Sequence, residues 1–209
     1  MTATESIRVR FNDTVVEVRP GATLLAAARR GGIVIPSLCW DPRLTSIGAC
    51  RLCLVEIEGR PSAVAACTTP AAGGMVVHTH TPALERHRRN TLSMLARNYP
   101  ATDAERFAST PFVALLESYG VKPEGAPGGP ADRRHPYIAV DMSRCILCFR
   151  CVRICDELQG QNVWHIENRS QARECGYERS LRSDRVHSRV QSHGRPPRAR
   201  RPARALWRY

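Results

Sequence analysis

Alternating apolar and polar residues at the start of the chain predict a β-hairpin. Residues 7–11 alternate, and after a short turn residues 15–18 form a second strand-like run. Thr23 is a suitable N-cap for a following helix, which ends at the pair Gly31-Gly32. The apolar face of that helix is formed by Leu24, Leu25, Ala27 and Ala28. The predicted opening order is therefore strand, strand, helix.

The pattern farther along the chain predicts two more short strands and two helices. The strands are residues 54–57 and 75–77, and the helices are residues 82–98 and 111–119. The first of these helices is amphipathic, and we expect its basic residues away from its apolar face. Those basic residues are Arg86, Arg88, Arg89 and Arg97. Proline and glycine dominate residues 123–130, which indicates a linker between two domains.

Four cysteines in the first third of the chain have the spacing of metal ligands. They are Cys39, Cys50, Cys53 and Cys67, with ten, two and thirteen residues between successive thiols. The close pair Cys50 and Cys53 can place two thiolates on one iron, and the two flanking cysteines can complete a second iron. The spacing therefore predicts a [2Fe–2S] cluster. Structural zinc and a pair of disulfides are the alternatives.

A second cysteine run follows the predicted linker. Cys145, Cys148, Cys151 and Cys155 are separated by two, two and three residues, which is typical of bacterial-type [4Fe–4S] ferredoxins. The fourth cysteine of such a run normally ligates a neighbouring cluster, but the chain has no matching second run. We therefore predict one [4Fe–4S] cluster at most. Its fourth ligand is Cys155 or Cys175, or it is held by three cysteines, and zinc is the alternative.

The net charge of +12 is concentrated at the end of the chain. Residues 169–209 hold twelve arginines against three acidic residues, whereas residues 1–168 hold nineteen basic against sixteen acidic residues. The last residues also have few apolar positions and no period, which predicts a disordered tail. Arginine-rich tails can bind nucleic acid, but no stacking platform of aromatic residues accompanies these arginines. Nucleic acid is therefore not the expected partner.

The N-terminal residues carry no export signal, and no run of eighteen apolar residues occurs. Nine cysteines in such a chain are typical of a reducing compartment in which thiols bind metal. A cytoplasmic protein without a membrane partner is the expectation. His78, His80 and His87 lack a second ligand at metal-site spacing, so we expect them to be solvated or packed.

Residues 33–77 resemble a known domain through the segments IPSLCWDPRL, GACRLCLVEIEG and ACTTPAAGGMVVHT. That domain is the N-terminal ferredoxin-like domain of three groups: the large iron–sulfur subunit of NADH dehydrogenase, the diaphorase subunit of NAD-linked hydrogenases, and the alpha subunit of NAD-dependent formate dehydrogenase. Many of these relatives continue with a histidine and three cysteines that ligate a further cluster. This chain has no cysteine between Cys67 and Cys145, so that cluster is not expected.

The resemblance implies an α+β chain with a β-grasp [2Fe–2S] ferredoxin-like domain and a partial bacterial-type [4Fe–4S] ferredoxin segment, and the composition of the last residues adds a disordered basic tail. The tail resembles no part of the family, and a truncation or a shifted reading frame is one hypothesis for it. The predicted divisions are residues 1–80 for the first domain, 81–122 for a helical connector, 123–135 for the linker, 136–167 for the second domain and 168–209 for the tail.

The predicted function is an iron–sulfur electron-transfer module of an NAD-linked oxidoreductase, with no catalytic residue of its own. The stretch HPYIAVDMSRCILCFRCVRICDELQGQ is most similar to the formate dehydrogenase alpha subunit. That similarity implies two partners, a molybdopterin-type catalytic domain or subunit and a flavin subunit that binds NADH. One alternative is a diaphorase-type subunit of a hydrogenase or NADH dehydrogenase. Another is a zinc-stabilised protein that binds nucleic acid.

Overall fold

A computed structural model gives the fold of most of the chain. It describes residues 6–102, 108–125, 131–132, 140–161, 164–167 and 174–177. The predicted α+β class is confirmed, with a ferredoxin-like sheet domain first and a shorter segment that carries the second cysteine run. None of the helices in these described ranges has the length and apolar character needed to cross a membrane.

The hairpin and first helix form where the residue pattern predicts them. Strands β1 (Ile7–Phe11) and β2 (Thr14–Val18) pair in antiparallel fashion. Helix α1 (Leu24–Arg30) begins at Thr23, whose hydroxyl accepts a hydrogen bond from the Ala26 N–H at 3.3 Å. A threonine hydroxyl in this position satisfies one of the backbone donors that a helix leaves unpaired at its first turn.

Three more strands complete a five-stranded mixed sheet. They are β3 (Leu54–Ile57), β4 (Val64–Ala65) and β5 (Val76–His78), in the sheet order β2-β1-β5-β3-β4. The central pair β1 and β5 is parallel and all other pairs are antiparallel. The predicted strand 54–57 is confirmed, the last strand lies one residue beyond the predicted 75–77, and β4 was not predicted. Helix α1 and the buried side chains of the sheet form the first hydrophobic core.

Two further helices build a second core against the cysteine loop. They are α2 (Pro82–Ala96) and α3 (Pro111–Ser118), which occupy most of the two predicted helical ranges. Their buried residues pack with Leu38 and Leu52, the immediate neighbours of Cys39 and Cys53. The second core thereby helps to fix two of the four cysteine positions.

One expectation for helix α2 is wrong. Arg88 was expected on a solvent-facing side, but its side chain is 0% exposed. The reason is its register, because the buried residues of α2 recur every fourth position and Arg88 occupies one of those positions. They are Leu84, Arg88, Leu92 and Ala96.

The second cysteine segment consists of short elements. Strands β6 (Ala131–Asp132) and β7 (Val140–Asp141) pair, a 3₁₀ turn follows at Met142–Arg144, and helix α4 (Arg150–Arg153) runs into a π-helical turn at Ile154–Leu158. Strands β8 (Trp164–Glu167) and β9 (Glu174–Tyr177) form an antiparallel hairpin.

Two of these strands differ from the sequence expectations. Strand β6 lies inside the predicted linker 123–135, and β9 lies inside the predicted disordered tail 168–209. Each of these strands is ordered by backbone hydrogen bonds to a partner strand, and amino-acid composition does not reveal such pairing. The rest of the predicted tail lies outside the described residues.

Candidate metal centre

The four cysteines of the first set lie in loops and turns that adjoin the helix and strands of the sheet domain. Cys39 lies in the loop after α1, Cys50 and Cys53 directly precede β3, and Cys67 directly follows β4. Because β3 and β4 are antiparallel neighbours, the start of one and the end of the other meet at the same edge. The fold therefore brings together residues that are up to 28 positions apart in the sequence.

The thiols of this set interact with one another in a definite order. Cys39 hydrogen-bonds with the thiols of Cys50 and Cys67, and Cys53 hydrogen-bonds with Cys67. All four are free cysteines. The two outer thiols, Cys50 and Cys53, each have one sulfur partner, so the contacts run in the order Cys50, Cys39, Cys67, Cys53. The expectation that Cys50 and Cys53 share one iron stays a prediction.

Hydrogen bonding between the thiols gives them different pKa values. Hydrogen bonding with Cys50 and then Cys67 lowers the pKa of Cys39 far below its ordinary range, and hydrogen bonding with Cys67 lowers the pKa of Cys53 to about 7. The same contacts with Cys39 raise the pKa of Cys50 and of Cys67. Two of the four sulfurs thus have a lowered pKa and two have a raised pKa. Metal ligation requires thiolates, so loading this site with iron releases protons.

Backbone N–H groups also point at these sulfurs. The Cys50 N–H donates to Cys39 Sγ and the Leu38 N–H donates to Cys50 Sγ, both at 3.5 Å. Arg51 has a φ of 55° and Gly48 a φ of 63°, left-handed conformations that turn successive N–H groups toward one side of the loop. Such concave rows of N–H groups occur at many iron–sulfur sites, where they stabilise the negative charge of the sulfurs.

The first site is nearly closed to solvent. Cys39, Cys53 and Cys67 are 1–2% exposed, whereas Cys50 is half-buried. A dry, sulfur-rich pocket suits iron and inorganic sulfide, both of which prefer soft thiolate partners. In the described part of the chain, no three Cys, His, Asp or Glu side chains surround a point as a single metal ion would need. The contacts connect the four sulfurs in one chain, which fits two bridged irons with two thiolates each.

Arg88 supports the first site from helix α2. Its guanidinium donates to the carbonyl oxygens of Leu52, Leu54 and Thr79 at 3.2, 3.1 and 2.8 Å, and to Glu85 at 2.6 Å. Leu52 and Leu54 flank Cys53, so a single buried side chain holds the backbone on both sides of that ligand. The four-residue spacing with Leu84 and Leu92 is the sequence signal that could have identified it.

The second cysteine set lies on one short stretch of loop and helix. Cys145 and Cys148 are half-buried in the loop before α4, Cys151 is exposed on α4, and Cys155 is buried in the π-helical turn. Leu147 and Phe149, on either side of Cys148, have φ values of 53° and 61°. The first site has left-handed residues in its loop as well, and this backbone conformation fits a cluster that is ligated by the loop.

Cys175 and the three candidate histidines have different positions. Cys175 lies on β9 opposite Ile166 of β8, and β8 packs against α4. His78 pairs with Glu58 at 3.2 Å and His80 lies 2.7 Å from the Thr79 hydroxyl. His87 is exposed on α2. The histidines thus occupy surface positions with local partners, as expected from their spacing.

Comparison with protein-family models identifies two regions of the chain. Residues 4–82 match a 2Fe–2S iron–sulfur cluster binding domain, and residues 135–189 match the ferredoxin-like domain of NADH-quinone oxidoreductase subunit 3. These matches confirm the predicted cofactor types, [2Fe–2S] in the first region and [4Fe–4S] in the second. The second match also extends into the range that was predicted as a tail.

Individual proteins show the same relationship. The chain is 37% identical over 186 residues to an NADH-quinone oxidoreductase subunit of Rhizobium meliloti (strain 1021), covering 85% of the chain and 22% of that protein. It is 36% identical over 160 residues to the NADH-ubiquinone oxidoreductase 75 kDa subunit of Reclinomonas americana, covering 74% and 23%. The chain thus spans less than a quarter of the length of these curated relatives.

A solved structure resembles the chain over most of its length. It is a chain from the crystal structure of an NAD⁺-reducing [NiFe]-hydrogenase in the H₂-reduced state, with a TM-score of 0.74 and 32% sequence identity. The match covers 83% of this chain and 76% of that one.

Proposed function

The chain belongs to the iron–sulfur family that includes the matched chain of the NAD⁺-reducing [NiFe]-hydrogenase and the matched subunits of NADH-quinone and NADH-ubiquinone oxidoreductases, and on that premise we propose that it is an electron-transfer module. It carries single electrons between partner subunits of an NAD-linked oxidoreductase. A bound iron–sulfur cluster supplies one-electron chemistry, whereas the chain supplies ligands, insulation and contact with partners.

The observation that carries this proposal is the gathering of four thiols on a folded scaffold. In the proposed assignment, Cys39, Cys50, Cys53 and Cys67 hold the [2Fe–2S] cluster. A second cluster is assigned to the other run, Cys145, Cys148, Cys151 and Cys155. Cys50 is the most exposed ligand of the first site, so electrons are proposed to enter or leave there.

The identities of the relatives guide the proposed partners. They are subunits of NADH-quinone and NADH-ubiquinone oxidoreductases. We propose that this chain docks a flavin-containing, NADH-binding subunit on one side and an acceptor or catalytic subunit on the other. The chain itself then conducts electrons without binding the substrate of either neighbour.

Anaerobic reconstitution of the full chain with iron and sulfide tests the proposal. We expect a brown protein with about six irons per chain, the sum of one [2Fe–2S] and one [4Fe–4S] cluster. After reduction with dithionite it should give a paramagnetic signal from the first cluster. A colourless protein that takes up zinc in preference to iron would contradict the proposal and support a zinc-stabilised binding protein.

Formate dehydrogenase is the more specific candidate for the parent enzyme. Two sequence features favour it: the run of four cysteines at positions 145 to 155, and the lack of any cysteine between Cys67 and Cys145. In that case the catalytic partner is a molybdopterin-type domain or subunit. The test is NAD⁺ reduction by formate in a complex purified with this chain, with NADH-dependent quinone reduction as the competing result.

A further inference from the structure

Arg153 connects the second cysteine segment to the first cysteine loop. It follows Cys151 by two residues and precedes Cys155 by two, yet its guanidinium donates to the carbonyl oxygens of Cys39 and Thr45. Its side chain is buried. One residue therefore lies between two proposed ligands of the second cluster and also bonds to the backbone of a ligand of the first.

A second contact from the same helical stretch strengthens this connection. The Thr45 N–H donates to a carboxylate oxygen of Glu157 at 2.7 Å. Both the carbonyl and the N–H of Thr45 are thus held by residues from the π-helical turn or the helix before it. The loop that follows Cys39 gains its conformation partly from the segment that carries the second cysteine run.

The charge of Arg153 is poorly compensated inside the protein. Among the residues that the structure describes, its Nε is the one buried side-chain nitrogen or oxygen without a hydrogen-bond partner. The two other nitrogens bind neutral carbonyl groups rather than a carboxylate. A buried cation with weak compensation acts over a longer range than a paired one at the surface, because little water screens it.

We propose that Arg153 couples the two cluster sites, as a positioning residue for the Cys39 loop whose charge also raises the reduction potential of the first cluster. Adding an electron makes a cluster more negative, and a nearby buried cation favours that state. When the second site is occupied, helix α4 is ordered and Arg153 is held against Cys39. This inference rests on the proposed function, since both sites must bind clusters.

The test is a redox titration of the full reconstituted chain, in which dithionite supplies the electron and the paramagnetic signal of the first cluster is followed. We expect Arg153→Met to lower the equilibrium constant for reduction about tenfold, which corresponds to about 59 mV for one electron. Arg153→Lys keeps the charge and should change it less than about threefold. The matched control is Arg43→Met, which removes an exposed, ion-paired arginine from the same loop and should also have little effect.

Glu157→Gln provides a second, milder variant in case Arg153→Met loads poorly. It removes a negative charge beside Thr45 and should move the potential in the opposite direction, upward. An unchanged potential in both Arg153→Met and Glu157→Gln, at normal iron content, would overturn the inference. An equal decrease of the reduction potential in Arg153→Met and Arg153→Lys would also overturn it, because the charge would then have no role.

A double-mutant comparison tests the coupling itself. Cys148→Ser should prevent loading of the second cluster, loosen α4 and lower the potential of the first cluster, but only where Arg153 is present. In the Arg153→Met background the same change should have no further effect, and equal shifts in both backgrounds would overturn the coupling. Failure of the unmodified chain to bind iron would instead refute the proposed function, so the two failures are distinguishable.

Discussion

The two cysteine regions are held by different kinds of structure. The first set is distributed over a loop and the turns next to two strands of a sheet, and three of its four cysteines are almost inaccessible to solvent. The second set lies on one loop and a short helix, and its cysteines range from exposed to buried. Behind the first set lie two hydrophobic cores, whereas Arg153 and Cys155 are the buried residues identified between residues 143 and 161.

This difference indicates how each site obtains its geometry. In the first region, burial of apolar side chains supplies the free energy that gathers the thiols, so the site is organised before metal binds. In the described part of the second region little apolar surface is buried, and the cluster itself must supply much of the ordering energy. A chain can thus contain a preformed site and a metal-dependent site in succession.

The largest expected effect is the loss of a single cluster when one ligand is removed. Cys67 hydrogen-bonds with both Cys39 and Cys53, so Cys67→Ser should abolish the [2Fe–2S] cluster and lower the iron content from about six to about four per chain. Cys148→Ser is the reciprocal variant and should leave about two irons. Iron analysis and the paramagnetic signal of each variant provide the measurement. Loss of both clusters in Cys148→Ser would contradict the independent formation of the first site.

Removal of iron should separate the two regions without any mutation. After treatment with a chelator under reducing conditions, amides of the sheet core at Phe11, Val55 and Val77 should stay protected from hydrogen exchange. Amides of the helical stretch from Arg153 to Gln159 should exchange rapidly, because their order depends on the cluster. The loaded chain is the control. Equal loss of protection in both regions would show that the first site is not preformed.

Arg88 offers a sharper test of how the first region is built. Arg88→Met should lower the free energy of unfolding by about 4 kcal/mol, because it leaves three buried carbonyl groups without their donor. Arg89→Met is the matched control, since Arg89 is the next residue on the same helix and is exposed. This variant should change the free energy of unfolding by less than about 0.5 kcal/mol. Urea denaturation of the apo chain measures both. Equal changes in the free energy of unfolding for the two variants would show that Arg88 does not stabilise the backbone around Cys53.

Substitution of two leucines, one in each cysteine region, compares the packing of the two regions directly. Leu25 is fully buried in the first core, so Leu25→Ala should lower the free energy of unfolding by about 3 kcal/mol. Leu158 is half-exposed in the second region, and Leu158→Ala should cost about 0.5 kcal/mol or less. The same urea titration applies. A large effect at Leu158 would mean that the second region has a core of its own.

Local patterns predicted the elements of the first region well. The alternation in residues 7–18 and the cap at Thr23 act over a few residues, so the sequence contains the information directly. The spacing of the cysteines likewise predicted two sulfur-rich sites. It did not predict that Cys39 pairs with Cys50, because that contact depends on where the sheet places the loop.

The two buried arginines were missed for a related reason. A charged residue is usually solvated, and only a structure shows which carbonyl groups are available to satisfy a buried one. Arg88 had a helical period that could have revealed it, but Arg153 depends on a contact across more than one hundred residues. The short strands β6 and β9 depend on pairing as well, and composition alone concealed them.

The parallel pairing of β1 with β5 also constrains when the first site can form during synthesis. Phe11 lies opposite Val77, and all four thiols of the first set lie between these two residues in the sequence. The sheet can therefore close only after residue 78 has left the ribosome. Until then the four thiols lie in an unclosed segment, and afterwards three of the four cysteines are almost sealed from solvent. The gathering of the first set of thiols is thus a late event in the synthesis of this domain.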